Sequence, residues 1–139
     1  LWAGVFLMAK KATQSRLWVG SDVGDPPEVR TKVWFETDGK RVFGTGIAGL
    51  IENIDRLGTL TAAARAVNMS YRYAWQLLRT AETYFSRALV TRQTGGRTGG
   101  GMALTADGRR ALEVFRTLNQ DVADFADERF HNLYGQDAD

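Results

Sequence analysis

Arg72 and Gln76 stand four residues apart, and at helical spacing Tyr71, Trp75 and Arg79 share their face. An arginine guanidinium forks onto two acceptors of guanine, and a glutamine amide pairs with the donor and acceptor of adenine. Each good bidentate pair is worth about 1–3 kcal/mol of discrimination against the wrong base. Side chains of these types, one helical turn apart, suit the reading of base edges in a major groove. Ser70 and Tyr71 are candidates to hold phosphate oxygens, and Arg79 fits a phosphate better than a base. Trp75 has two roles open: contact with a thymine methyl or sugar, or packing on the loop that follows.

That loop is Thr94-Gly95-Gly96-Arg97-Thr98-Gly99-Gly100-Gly101. Its five glycines allow a close approach to a surface. Arg97 at its tip and Arg92 at its base could track a phosphate backbone or enter a minor groove. The plainer alternative is a pliable surface loop.

Enzymatic readings are weak. A glycine-rich loop can cradle nucleotide phosphates, but no Gly-Lys-Ser/Thr ending is present. Gly44-x-Gly46-x-x-Gly49 matches a dinucleotide fingerprint loosely, without the repeated strand–helix units of that fold. It reads better as a strand-to-helix turn. Glu52 and Asp55 fit an exposed acidic face better than acid–base work. No nucleophile–base pair is evident. With one histidine, His131, and no cysteine, neither a histidine nor a thiolate metal site is expected, and no metal or cofactor is anticipated.

The elements that must position these residues can be traced from local signals. Lys32–Thr37 has strand composition, Asp38-Gly39 is a hairpin turn pair, and Arg41-Val42-Phe43 is the return strand. Ile47, Leu50, Ile51, Ile54 and Leu57 make a helical stripe that Gly58 should end. Thr59 or Thr61 can cap a short alanine-rich helix, Thr61–Val67, whose small side chains suit a close helix crossing. Asn68-Met69-Ser70 is a turn, and Ser70 is a good N-cap for a helix to about Phe85. Ala74, Leu77, Leu78, Ala81 and Phe85 form its inward face. Ala88–Arg92 and Met102–Leu104 are short strands. Thr105 should cap a long last helix, on which Leu112, Phe115, Leu118, Val122 and Phe125 repeat in steps of three and four like a pairing seam; too short for a freestanding coiled coil, it should pack on a partner or on its own domain.

Size and charge agree with this plan. The chain has 139 residues, 44% of them hydrophobic, enough for a packed core. Residues 30–110 hold 13 Lys and Arg against 6 Asp and Glu, a balance of +7, while residues 111–139 hold 2 against 7, a balance of −5. A basic middle and an acidic end suggest a polyanion-binding head on a helix that leads away. Leu1–Ala9 is apolar but too short to span a bilayer, and it lacks a signal-peptide pattern. The absence of cysteine fits a reducing cytoplasm.

Met69-Ser70-Tyr71-Arg72-Tyr73-Ala74-Trp75, the Thr94–Gly101 loop and Leu104-Thr105 together resemble the N-terminal DNA-binding domain of ModE-type molybdate-responsive regulators. That domain is similar to the winged helix-turn-helix of LysR-type regulators. The resemblance runs from about Lys32 to Phe130. It implies a double-stranded DNA partner, a two-half-site operator, a homodimer joined through the last helix, and a link to molybdenum or other oxyanion metabolism. Recognition falls on Tyr71, Arg72, Trp75 and Gln76, and the wing role on Arg97. The molybdate-binding part of such regulators is not matched, so oxyanion sensing within this chain is not supported.

The expected fold is mainly α with small β elements: a winged helix-turn-helix with an N-terminal β-hairpin and a long C-terminal dimerisation helix. Expected boundaries are a flexible leader at 1–28, the winged domain at 29–104, the dimerisation helix at 105–134 and a tail at 135–139. The function class is a sequence-specific transcription regulator. The alternative is a winged-helix protein-interaction module that does not read DNA.

Overall fold

A computed structural model of the chain describes residues 27–93 and 101–135. The expected leader, apart from its last residues, the wing tip with Arg97, and residues 136–139 of the tail lie outside the described residues.

Asp38 and Gly39 both take left-handed backbone angles, φ 51° and 74°, as a tight hairpin turn of matched twist requires. They join β1 (Phe35–Thr37) to β2 (Lys40–Phe43). The ladder pairs Thr37 with Lys40 and Glu36 with Arg41, then shifts so that Phe35 meets Phe43. β1 is shorter than the strand composition, which begins at Lys32. Helix α1 (Thr45–Leu57) follows at once, with Gly44 as its N-cap. The loose glycine fingerprint is therefore a strand-to-helix turn, as expected.

Caps fall where the sequence places them. Gly58 adopts φ 82° and its N–H returns to the Ile54 carbonyl at 2.8 Å, closing α1. The Thr59 hydroxyl accepts the Ala62 N–H at 3.1 Å and starts α2 (Leu60–Ala66). The Ser70 hydroxyl accepts the Tyr73 N–H at 3.1 Å and starts α3 (Tyr71–Phe85). Ala63, Ala64 and Ala74 are fully buried where α2 and α3 approach. Larger side chains there would hold the two helices apart.

Beyond α3, β3 (Val90–Arg92) pairs antiparallel with β4 (Met102–Leu104). Helix α4 (Ala106–Gly135) completes the order. The Thr105 hydroxyl accepts the Gly108 N–H at 2.9 Å and donates to the Ala88 carbonyl at 2.6 Å. One side chain thus caps α4 and ties it to the start of β3.

The chain forms two compact units. One is Lys32–Asn119; the other combines Leu1–Thr31 with Gln120–Asp139, and of it residues 27–31 and 120–135 are described. The break falls inside α4, not at its start, because the first turns of that helix are part of the winged core. In this core Phe43 stacks on Phe35 and Phe85 and meets Phe115 at a tilt, with ring centroids 5.5–5.9 Å apart. Arg109 grips Asp55 with two hydrogen bonds of 3.0 and 3.1 Å, and Arg116 pairs with Glu52. In the other unit, Phe130 stacks on Tyr134 at 5.8 Å and Gln120 donates to Asp124.

Phe115 requires a correction to the expected seam. It is 2% exposed and lies against Phe35 and Phe43, and Leu112 is half-buried against the same core. The apolar stripe of α4 is shared: one edge feeds the winged core. Val114 and Leu118 lie on the exposed edge, at 40% and 42%. In the second unit Phe125 is exposed and Val122 is half-buried.

Candidate nucleic-acid interface

Three of the five residues expected to face inward settle the orientation of α3. Ala74, Leu78 and Ala81 are fully buried. The opposite face must then look outward, and Tyr71, Arg72, Trp75, Gln76 and Arg79 are all exposed. Tyr71, Arg72, Trp75 and Gln76 line one shallow slot of about 340 Å³. Arg79 lies with its guanidinium 4.9 Å from the Trp75 ring centroid, a cation–π geometry that holds the charge over the helix surface. Trp75 therefore has a definite role in supporting Arg79; whether it meets the wing tip lies outside the described residues.

Arg72 and Arg79 on this face make no ion pair among the described residues, and neither do Arg56 on α1 and Arg65 on α2. Residues 56–81 contain four arginines and no Asp or Glu. Among the arginines that do pair, Arg87 lies between α3 and β3 and reaches Asp107, while Arg109, Arg110 and Arg116 lie on α4. Repulsion among unpaired cations costs stability, and it is tolerated where a polyanion can relieve it.

Arg92 differs from its companions. It sits 3.6 Å from Glu82, whose other oxygen accepts the Leu89 N–H at 2.8 Å. Glu82 thereby fixes the turn from α3 into β3 and holds Arg92 at the wing base. Its partner leaves Arg92 with less charge to offer than Arg72. The wing base is also tied from below: the Met102 N–H donates to the Gly58 carbonyl at 2.7 Å, and Gln93 donates to Gly101 at 2.8 Å. Tyr71 shares a recess of about 270 Å³ with Arg92 and Met102, which places the helix start beside the wing root.

Sequence reasoning did not single out Lys32, Arg41, Arg56 or Arg65. The run without acidic residues was the available signal for Arg56 and Arg65. Lys32 and Arg41 belong to a hairpin whose composition announces structural support alone. Among the described residues, no cluster of three or more His, Cys, Asp or Glu could hold a metal. No described helix is long and apolar enough to cross a membrane.

Residues 50–109 match the family of bacterial regulatory helix-turn-helix proteins of the lysR type. The molybdenum transport protein ModE of Azotobacter vinelandii is 38% identical over 91 residues, covering 63% of this chain and 34% of that protein. The molybdenum-pterin-binding protein MopA of Rhodobacter capsulatus is 41% identical over 69 residues, covering 50% of this chain and 26% of that protein. The DNA-binding transcriptional dual regulator ModE of Escherichia coli (strain K12) is 32% identical over 71 residues, covering 51% of this chain and 27% of that protein. The chain thus spans 26–34% of the length of these curated relatives. Residues 50–109 thus carry a LysR-type regulatory helix-turn-helix domain of the ModE-like kind.

Proposed function

We propose that this domain is the DNA-reading part of a transcription regulator linked to molybdenum, and that it acts as a homodimer on an operator of two half-sites. The observation that carries this reading is the outward, unpaired Arg72 beside Gln76 on the first turns of α3. The early turns of a recognition helix enter the major groove, where these two side chains suit guanine and adenine. Ser70, Tyr71 and Arg79 hold flanking phosphates, and Arg92 and Arg97 supply the second grip through the wing. The names of the relatives support both the DNA partner and the molybdenum link.

Selection of bound fragments from a random duplex pool supplies the operator. On that operator, Arg72→Ala is expected to cost about 1–3 kcal/mol against the preferred base at one position. On scrambled duplex its effect should be small. Arg97→Ala should weaken both duplexes alike. Equal losses for Arg72→Ala on every sequence would remove it from base reading.

Dimerisation is assigned to the exposed edge of α4. Val114 and Leu118 stand one turn apart on it, the spacing that lets two helices pair. Leu118→Asp should convert the dimer to a monomer in light scattering while leaving the circular-dichroism melt of the winged unit nearly unchanged. A parent chain that is already monomeric at micromolar concentration would defeat the assignment.

A further inference from the structure

We propose that the N-terminal hairpin and the start of α1 form a second phosphate clamp, on the flank of α3 opposite the wing. The inference rests on the DNA-reading role proposed for α3 and adds a surface that this role does not require.

The site is a cleft of about 400 Å³ whose lining includes Lys32, Arg41, Gly44, Tyr73, Gln76 and Thr80. Its place follows from the helical period. At about 100° per residue, with Arg72 as origin, Gln76 lies near +40°, Thr80 near +80° and Tyr73 near +100°. On the same scale Trp75 lies near −60° and Tyr71 near −100°. Tyr71 borders the wing root, so the hairpin cleft borders the other side of the reading face. Gln76 belongs to both the cleft and the slot with Arg72. The two surfaces are therefore continuous.

The charge in the cleft is held ready. Glu36 is the ladder partner of Arg41, the natural position for a cross-strand ion pair. No such pair forms. Glu36 instead accepts the Trp34 indole N–H at 2.7 Å, and the Arg41 guanidinium lies 4.5 Å from the Trp34 ring centroid. Trp34 thus diverts the carboxylate of the ladder partner and supports the cation on its face. Lys32 likewise makes no ion pair among the described residues. Gly44 offers α1 no side-chain cap, and its first turn holds no acidic residue, so nothing negative occupies the cleft from that side.

A major groove is walled by two phosphate strands. With the wing root on one flank and two cations on the other, both walls meet positive charge. The chemistry that fits Lys32 and Arg41 is the sugar–phosphate backbone beside the half-site.

The test uses the full chain and two labelled duplexes, one carrying the selected operator and one scrambled. Binding is followed by fluorescence anisotropy across a salt series. For Lys32→Ala with Arg41→Ala, the slope of log K against log salt should fall by about 2 per protomer, equally on both duplexes. Lys32→Arg with Arg41→Lys should keep the parent slope. Lys40→Ala, on the same strand but outside the cleft, should leave it unchanged. An unchanged slope in the double alanine variant, with parent binding intact, overturns the clamp and leaves the reading of α3 standing. Loss on the selected duplex alone would make these residues base readers and would also overturn it. A parent chain that binds no duplex overturns the DNA role itself, and the clamp with it.

Discussion

Alanine at Gly108 is expected to lower the melting temperature of the winged unit by more than about 10 °C. A simple helix-propensity view predicts the opposite sign, since Ala is favoured over Gly inside a helix by about 1 kcal/mol. Geometry decides against it. A Cβ at Gly108 would lie 2.1 Å from the Leu89 carbonyl oxygen and 3.0 Å from its carbonyl carbon. Both are backbone atoms, so no side chain can swing aside. The first turn of α4 would have to lift from the start of β3. That movement would strain the Thr105 N–H to Leu89 bond of 3.0 Å and the Thr105 hydroxyl to Ala88 bond of 2.6 Å. Overpacking of this kind costs about 3 kcal/mol, well above the propensity gain. Thermal unfolding followed by circular dichroism checks the sign, and a melting point equal to or above that of the parent would refute the close contact.

Phe43→Ala should cost about 3–5 kcal/mol, the range for a large aromatic removed from a core. Phe43 is 1% exposed and is the ring that Phe35, Phe85 and Phe115 share. Its loss opens a void bordered by β1, the end of α3 and the early turns of α4, none of which can collapse alone. Domains of this size are stable by about 5–15 kcal/mol in total, so the variant should unfold at a much lower urea concentration. The denaturant slope should stay near the parent value, since the surface exposed on unfolding changes little. A midpoint within experimental error of the parent would show that the aromatic cluster is not what joins hairpin to helices.

Much of the winged unit is legible in the sequence because its signals are local. Asp38-Gly39, Gly58, Thr59, Ser70 and Thr105 each act on backbone groups within a few residues, and each does in space what its position announces. The outward set on α3 is legible for a related reason: once Ala74, Leu78 and Ala81 face inward, the period leaves Arg72 and Gln76 no other side.

Features that depend on distant partners are not legible in this way. The period of α4 reveals an apolar stripe but not whether each residue meets a partner or the molecule's own domain; Phe115, one of the expected seam, lies against Phe35 and Phe43. Gly108 looks like an ordinary weak point in a helix; only the approach of Leu89, far away in sequence, makes it indispensable. Arg92 looks as available as Arg72 until Glu82, ten residues earlier, is seen to hold it. Arg41 carries the reverse lesson. Its ladder partner suggests neutralisation, and the Trp34 ring prevents it.

Gly58 has two duties at once. Its amide closes α1, and its carbonyl receives the first residue of β4. The root of the wing is thereby pinned to the same residue that separates α1 from α2. A residue inserted or deleted there would throw both out of step together, whereas the Asp38-Gly39 tip, where a Cβ on Gly39 would meet no described atom within 4 Å, has slack to absorb such a change. Length variation among descendants of this fold should accordingly gather at the tip and spare the α1–α2 junction.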